Sequence, residues 1–142
     1  MNRTFQGLFL VFVAATTSAP SVVAAESLYD RMGGAPVVAR VIDELIQRNR
    51  VDPRTKRSFQ KINVKRTQEM LNEQFCAIAG GPCKYMGDDM KVVHAGLDIT
   101  DAEFNGLVEN LIAALDANGV GLREKNELLK LLAPMKRDIV TK

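Results

Sequence analysis

The residues of this 142-residue chain best suited to chemistry are one histidine, His94, two cysteines, Cys76 and Cys83, and six methionines. With a single imidazole, any Ser-His-Asp or Cys-His mechanism must run through His94, and a metal site built from several histidines is excluded. His94 has two readings, a hydrogen-bonded structural residue or a ligand. Met90 lies one helical turn before it, and the apolar faces of Val64 to Ile78 and Phe104 to Leu115 flank it in sequence. That setting presents a neutral imidazole to an apolar slot. Cys76 and Cys83 lie seven residues apart across the turn formers Gly80-Gly81-Pro82. They could join His94 as metal ligands, but three ligands at this spacing do not make a structural zinc site.

The compartment bears on the cysteines. Arg3 precedes the apolar run Leu8 to Ala15, which gives way to Thr16, Thr17, Ser18 and Pro20, with Val23-Ala24-Ala25 before Glu26. This is the layout of a secretory signal peptide over residues 1–25, and the run is shorter than the ~20 residues of a membrane span. The expected mature domain is 26–142, exported, and periplasmic if the host is Gram-negative. In an oxidising compartment Cys76 and Cys83 should pair.

The elements that must position these residues read as helices. Tyr29 to Gly34 is a helical turn stopped by two glycines. A helix follows from about Pro36 to Arg50, with Val38, Val41, Ile42, Leu45 and Ile46 on one face, and Asp52-Pro53 ends it. Arg54 to Phe59 is a corner. Asn63 caps a helix bearing Val64, Thr67, Leu71, Phe75 and Ile78 on one side, and Gly80-Gly81-Pro82 stops it. After a loop to Asp89, Met90 to His94 makes little more than one turn. Thr100 and Glu103 form a capping box that opens a helix with Phe104, Leu107, Val108, Leu111, Ile112 and Leu115 inward, closed by Asn118-Gly119. The last helix runs from about Leu122 towards Val140, with Leu128, Leu131, Leu132, Met135 and Ile139 inward and a bend at Pro134.

No stretch alternates with period two, aromatics are only 6%, and tryptophan is absent, so the expected fold class is all-α with four main amphipathic helices. The net charge of +2, from 19 basic and 17 acidic residues interleaved along the chain, excludes a basic nucleic-acid-binding face. A simple bundle would place a full helix where the long loop and the short turn at His94 stand. One imidazole in an apolar slot suits haem, whose iron needs one strong protein ligand.

From Leu28 to Val140 the chain resembles the group I truncated haemoglobins. The resemblance rests on Leu28-Tyr29-Asp30-Arg31-Met32-Gly33-Gly34, on Phe75 with Gly80-Gly81-Pro82, Tyr85 and Gly87, on His94-Ala95-Gly96-Leu97 with Ile99-Thr100, and on Ala133-Pro134. It implies a two-on-two helical sandwich around haem b, held without a covalent link since no Cys-x-x-Cys-His occurs, with His94 as the proximal iron ligand. Phe59 matches the phenylalanine that packs on the haem after the second helix. Phe75, Met90, Leu107, Leu111 and Leu132 match apolar positions lining the pocket, and Lys65, Arg66, Lys84 and Lys91 are candidates for the propionates.

The departures concern the distal side. Where the family places a tyrosine hydroxyl that donates to the bound ligand, this chain has Ile46. Polar distal positions match Thr67 and Leu71, so only Thr67, or Gln68 or Gln74 by a shift of register, could donate. Met70 matches a position where some members carry a second axial ligand, and a methionine sulfur there would raise the reduction potential.

The function implied is reversible binding of O2, NO or CO by a monomer that uses no nucleic acid and, once the leader is removed, no membrane. The alternatives are a His94/Met70 electron carrier with a redox partner, an enzyme oxidising NO to nitrate, and a haem-free helical adaptor. The adaptor leaves the short turn at His94 without a reason.

Overall fold

The computed structural model describes residues 25–142. The proposed leader, residues 1–24 and its cleavage position at Ala25, thus lies almost wholly outside the described residues. Helices α1 (Leu28–Arg31), α2 (Gly34–Val51), α3 (Lys56–Phe59), α4 (Val64–Ile78), α5 (Met90–Val93), α6 (Asp101–Ala117), α7 (Leu122–Leu132) and α8 (Lys136–Ile139) follow one another, with a 3-10 turn, Ala133–Met135, between the last two. No strand occurs among the described residues, so the all-α expectation holds.

Four of the helices, α1, α4, α5 and α6, start where a side chain satisfies one of the first free amides. Asn63 Oδ1 accepts from the amide of Arg66 at 3.0 Å, and Asp89 Oδ1 accepts from Val92 at 2.9 Å. Thr100 and Glu103 complete the capping box on α6 in both directions. Gly33 precedes α2 at φ +103°, and a side chain there would meet Val37 Cγ2 at 2.3 Å, so only glycine makes this entry. α2 begins at Gly34, two residues before the proline that the pattern suggests as its start. Asp52 ends it as expected.

α2 is the central element, packed on α4 and on α6. Its inward face, Val38, Val41, Ile42, Leu45 and Ile46, joins Phe75 and Cys76 of α4, Leu111, Ala114 and Leu115 of α6, and Leu128 of α7 in one core. Burying such side chains contributes roughly 1.5 to 3 kcal/mol each. Leu131 is a correction: it is 42% exposed, not inward. The buried face of α7 centres between Leu128 and Leu129, with Leu132 beside them, and Leu131 falls about 100° to one side of that direction at helical spacing. The bend at Pro134 is the 3-10 turn, where the proline removes one donor from the helical ladder.

A polar corner around the fully buried Asn49 and Thr55 joins α2 to α6. Asn49 Nδ2 donates to Leu45 O at 2.8 Å, Thr55 Oγ1 donates to Asn49 O at 2.9 Å, and Asn110 Nδ2 donates to both Asn49 Oδ1 and Asp52 Oδ2 at 3.1 Å. Hydrogen bonds donated by Arg54, from its side chain and its backbone amide, hold the Asp52 carboxyl well below the usual carboxylate range. This corner delivers α3, and with it Phe59, to the end of α6.

Candidate functional site

His94 follows the last residue of α5 and is half-buried. Its Nδ1 lies 2.8 Å from the carbonyl oxygen of Met90, which also accepts the His94 amide at 3.1 Å. A carbonyl only accepts, so Nδ1 carries the proton in this contact, and in the neutral imidazole that leaves the lone pair on Nε2. An imidazole fixed through one nitrogen to a backbone carbonyl, with the other free, is the arrangement of a histidine that ligates a metal.

Its surroundings are apolar. Among the described residues, seven large apolar side chains stand more than two-fifths exposed, and four of them, Met86 (69%), Val92 (58%), Val93 (46%) and Leu97 (44%), bracket His94. Apolar surface concentrated around one imidazole fits a large flat apolar group better than it fits a hydrated ion. The donor set agrees: one nitrogen ligand, and no group of three or more His, Cys, Asp or Glu among the described residues that could hold a metal ion directly.

The expected pocket residues fall into two sets. Ile46 (2% exposed), Phe75 (4%) and Leu111 (3%) lie in the central core, with Leu71 and Leu132 packed against it. Phe59, Thr67, Met70, Met90 and Leu107 are half-buried and lie outside that core, as does His94. Met90 opens α5, and its sulfur accepts from Gln74 Nε2 of α4 at 3.4 Å. Lys65, Lys84 and Lys91 are exposed and form no ion pair with another described residue, whereas Arg66 pairs with Glu69 at 3.8 Å.

Gln68 Nε2 donates to Asp43 Oδ1 of α2 at 2.7 Å, turned away from Thr67 and Leu71, whereas the buried Gln74 lies on the same helical face as those two residues and donates one N–H to the Met90 sulfur. Cys76 and Cys83 form a disulfide, which ties the buried end of α4 to the exposed loop before α5 and removes the Cys-Cys-His metal reading. Gly81 makes room for it: a Cβ there would stand 2.7 Å from Cys76 Sγ and 2.8 Å from Tyr29 Cδ1.

Sequence reasoning passed over Arg57 and gave Glu103 only a capping role. Glu103 is 8% exposed, and its carboxylate accepts from Arg57 Nε at 3.0 Å, Arg57 Nη2 at 2.8 Å, Ser58 Oγ at 2.8 Å and Thr100 N at 3.1 Å. Burial pushes this carboxyl up, but the bonds from Arg57, Thr100 and Ser58 outweigh it and hold it at about 2. The sequence offers only an arginine in the 54–59 corner and a capping box more than 40 residues later, and nothing local pairs the two.

Comparison with known proteins adds the family. Residues 27–141 match the model of the bacterial-like globins. The chain is 35% identical to the group 1 truncated haemoglobin of Mycolicibacterium paratuberculosis over 115 residues, 81% of this chain and 85% of that one. Among solved structures, the ferric truncated haemoglobin of Tetrahymena pyriformis superposes with a TM-score of 0.78 at 24% identity, over 82% of this chain and all of that one. The 2/2 haemoglobin of Synechococcus, solved in its cyanomet state with covalently attached haem, gives 0.76 at 21% identity over the same share of this chain.

Proposed function

The chain belongs to the bacterial-like globins, with group 1 truncated haemoglobins as its relatives, and is therefore a haem-binding globin of a gas-binding class; from that premise we propose that it binds a diatomic ligand, O2, NO or CO, reversibly at an iron held by His94. The observation that carries this reading is the 2.8 Å contact between His94 Nδ1 and the Met90 carbonyl, which in the neutral imidazole leaves Nε2 to ligate. When bound, haem supplies an iron with an open coordination position. The protein supplies the imidazole, the apolar walls from Phe59, Leu71, Phe75, Met90, Leu107, Leu111 and Leu132, and the exclusion of water.

The distal side is poor in donors. Ile46 brings no hydroxyl, Leu71 is apolar, and Gln68 is turned to Asp43. Thr67 and Gln74, which gives one N–H to the Met90 sulfur, are the polar side chains left on that face of α4. This favours a fast-exchanging gas binder over oxidation of NO to nitrate, which needs a long-lived oxygen complex. The haem is proposed to be haem b without a covalent link, because both cysteine sulfurs are joined to each other and the only imidazole is the iron ligand. Export is proposed from the leader, and the disulfide supports an oxidising destination. The protein is proposed to act as a monomer, and no helix of the described residues is long and apolar enough to cross a membrane.

The test is optical. The wild-type protein should take up haem with a sharp Soret band, remain high-spin without added ligand, and bind CO when ferrous. His94→Ala should abolish that spectrum; haem uptake with unchanged affinity would overturn the reading. A low-spin ferrous spectrum, reversed by Met70→Leu, would assign the sixth position to Met70 and make the protein an electron carrier.

A further inference from the structure

His94 sits at the end of a four-residue helix whose flanks are largely exposed, so the position of its imidazole depends on what anchors the chain on either side. Four residues upstream the anchor is Met90, through its sulfur to Gln74. Downstream the chain turns through Ala95 and Gly96 to Leu97 and Asp98, and both of their carbonyls are held by one side chain. Arg57 donates from Nη1 to Leu97 O and from Nη2 to Asp98 O, each at 3.1 Å. The same guanidinium grips both oxygens of the buried Glu103 carboxylate. Four of its five N–H groups find partners, two in the turn after His94 and two on Glu103 of α6.

We propose that Arg57 is a positioning residue for the iron ligand, fixing the His94 segment against α3, which carries Phe59, and against the start of α6, which carries Leu107 and Leu111. The proposal rests on the haem reading above and adds to it a residue that touches neither haem nor ligand. The geometry of the guanidinium explains the choice. A planar fork can address a carboxylate in bidentate fashion while its outer N–H groups reach two successive carbonyls, which a lysine ammonium cannot reproduce. Asp98 adds a second sign that the turn is held from outside, because it adopts φ +52°, a left-handed conformation that a non-glycine residue keeps only when its surroundings impose it. Its side chain pairs with Lys142 at 3.0 Å, and the Thr141 and Lys142 amides donate to Ile99 O at 3.0 and 3.2 Å, so the C-terminus closes over the next residue. Arg57 is the only one of these anchors that also reaches the element bearing Phe59.

The experiment compares wild type, Arg57→Met, Arg57→Lys and a control, Arg31→Met, which removes an ion pair between α1 and α7 remote from this turn in sequence and contacts. Two quantities are read in holo protein: the rate of haem loss to an excess of apomyoglobin, and the iron–histidine stretching band of the ferrous form by resonance Raman. Arg57→Met should lose haem about ten- to a hundredfold faster, the range for residues that orient a metal ligand, with a shifted or broadened band. Arg57→Lys should fall between, and Arg31→Met should match wild type in the Raman band whatever it does to stability. If Arg57→Met does not fold, Arg57→Lys carries the test alone. An Arg57→Lys protein with wild-type haem loss and an unchanged band overturns the proposal while leaving the haem reading intact. A wild type without a histidine-dependent Soret band overturns the haem reading itself.

Discussion

At the scale of single residues, the proposed distal side is distinguished by what Ile46 lacks. A hydrogen bond to a polarised ligand is worth roughly 1.5 to 3 kcal/mol, which corresponds to about a ten- to hundredfold change in the rate at which O2 leaves. Ile46→Tyr should therefore slow O2 release by about that factor while changing CO release much less, because CO is the weaker acceptor. Stopped-flow measurement of both ligands checks it, and circular dichroism shows whether the added ring is tolerated at so enclosed a site. Unchanged O2 release in a folded variant would mean either that position 46 does not approach the ligand or that Gln74, which gives only one of its two amide N–H groups to the Met90 sulfur, already supplies the donor.

At the scale of elements, the loop between α4 and α5 determines how the proximal turn is reached. It carries no regular structure, yet it is tied down repeatedly: Gly81 N donates to Cys76 O at 2.8 Å, Tyr85 Oη donates to Asp88 O at 2.9 Å, Met86 N donates to Glu73 Oε2 at 3.3 Å, and the disulfide closes it. Cross-linking so short a loop contributes roughly 2 to 3 kcal/mol, largely by restricting the unfolded chain. Reduction should lower the unfolding free energy of the haem-free protein by about that amount in urea titrations while leaving its helical content in place. Alkylation of the unreduced protein followed by mass spectrometry should find no labelled thiol. Two labelled cysteines would remove the bridge from the account.

For the whole molecule, acid stability should report on the polar joint between α3 and α6. The Glu103 carboxyl, ordinarily near 4.5, is held at about 2 in the folded protein. A carboxylate whose folded value is depressed stabilises fully above its unfolded value, and that contribution disappears as pH falls through the window from about 4.5 to 2. A shift of this size corresponds to roughly 1 to 3 kcal/mol once the exposure of its Arg57 partner is allowed for. Glu103→Gln should be less stable than wild type at pH 7 and lose less between pH 5 and pH 2, measured by chemical denaturation at each pH. Haem should add to stability in proportion to the logarithm of its concentration over its dissociation constant, so apo and holo melting curves should separate.

The local signals in the sequence were enough for the helices and for the choice of His94 as the proposed iron ligand. Asn63, Asp89 and the Thr100–Glu103 pair mark helix starts because a cap needs only a neighbour three residues away, and Gly80-Gly81-Pro82 and Asp52-Pro53 mark stops for equally local reasons. His94 was singled out by elimination, since no other imidazole exists. What the sequence could not reach were relations between helices. Leu131 turned outward because the face of α7 is set by where that helix meets its neighbours, and Gln68 faced Asp43 because α2 and α4 cross there. Arg57 meets carbonyls 40 and 41 residues away, and Asn110 meets Asn49 across 61 residues. Such pairings depend on crossing angles and on the end positions of whole elements, which no window of neighbouring residues contains. The chemistry of His94 is therefore written in one letter, while the placement of its imidazole is decided by a guanidinium that the fold brings in from another helix.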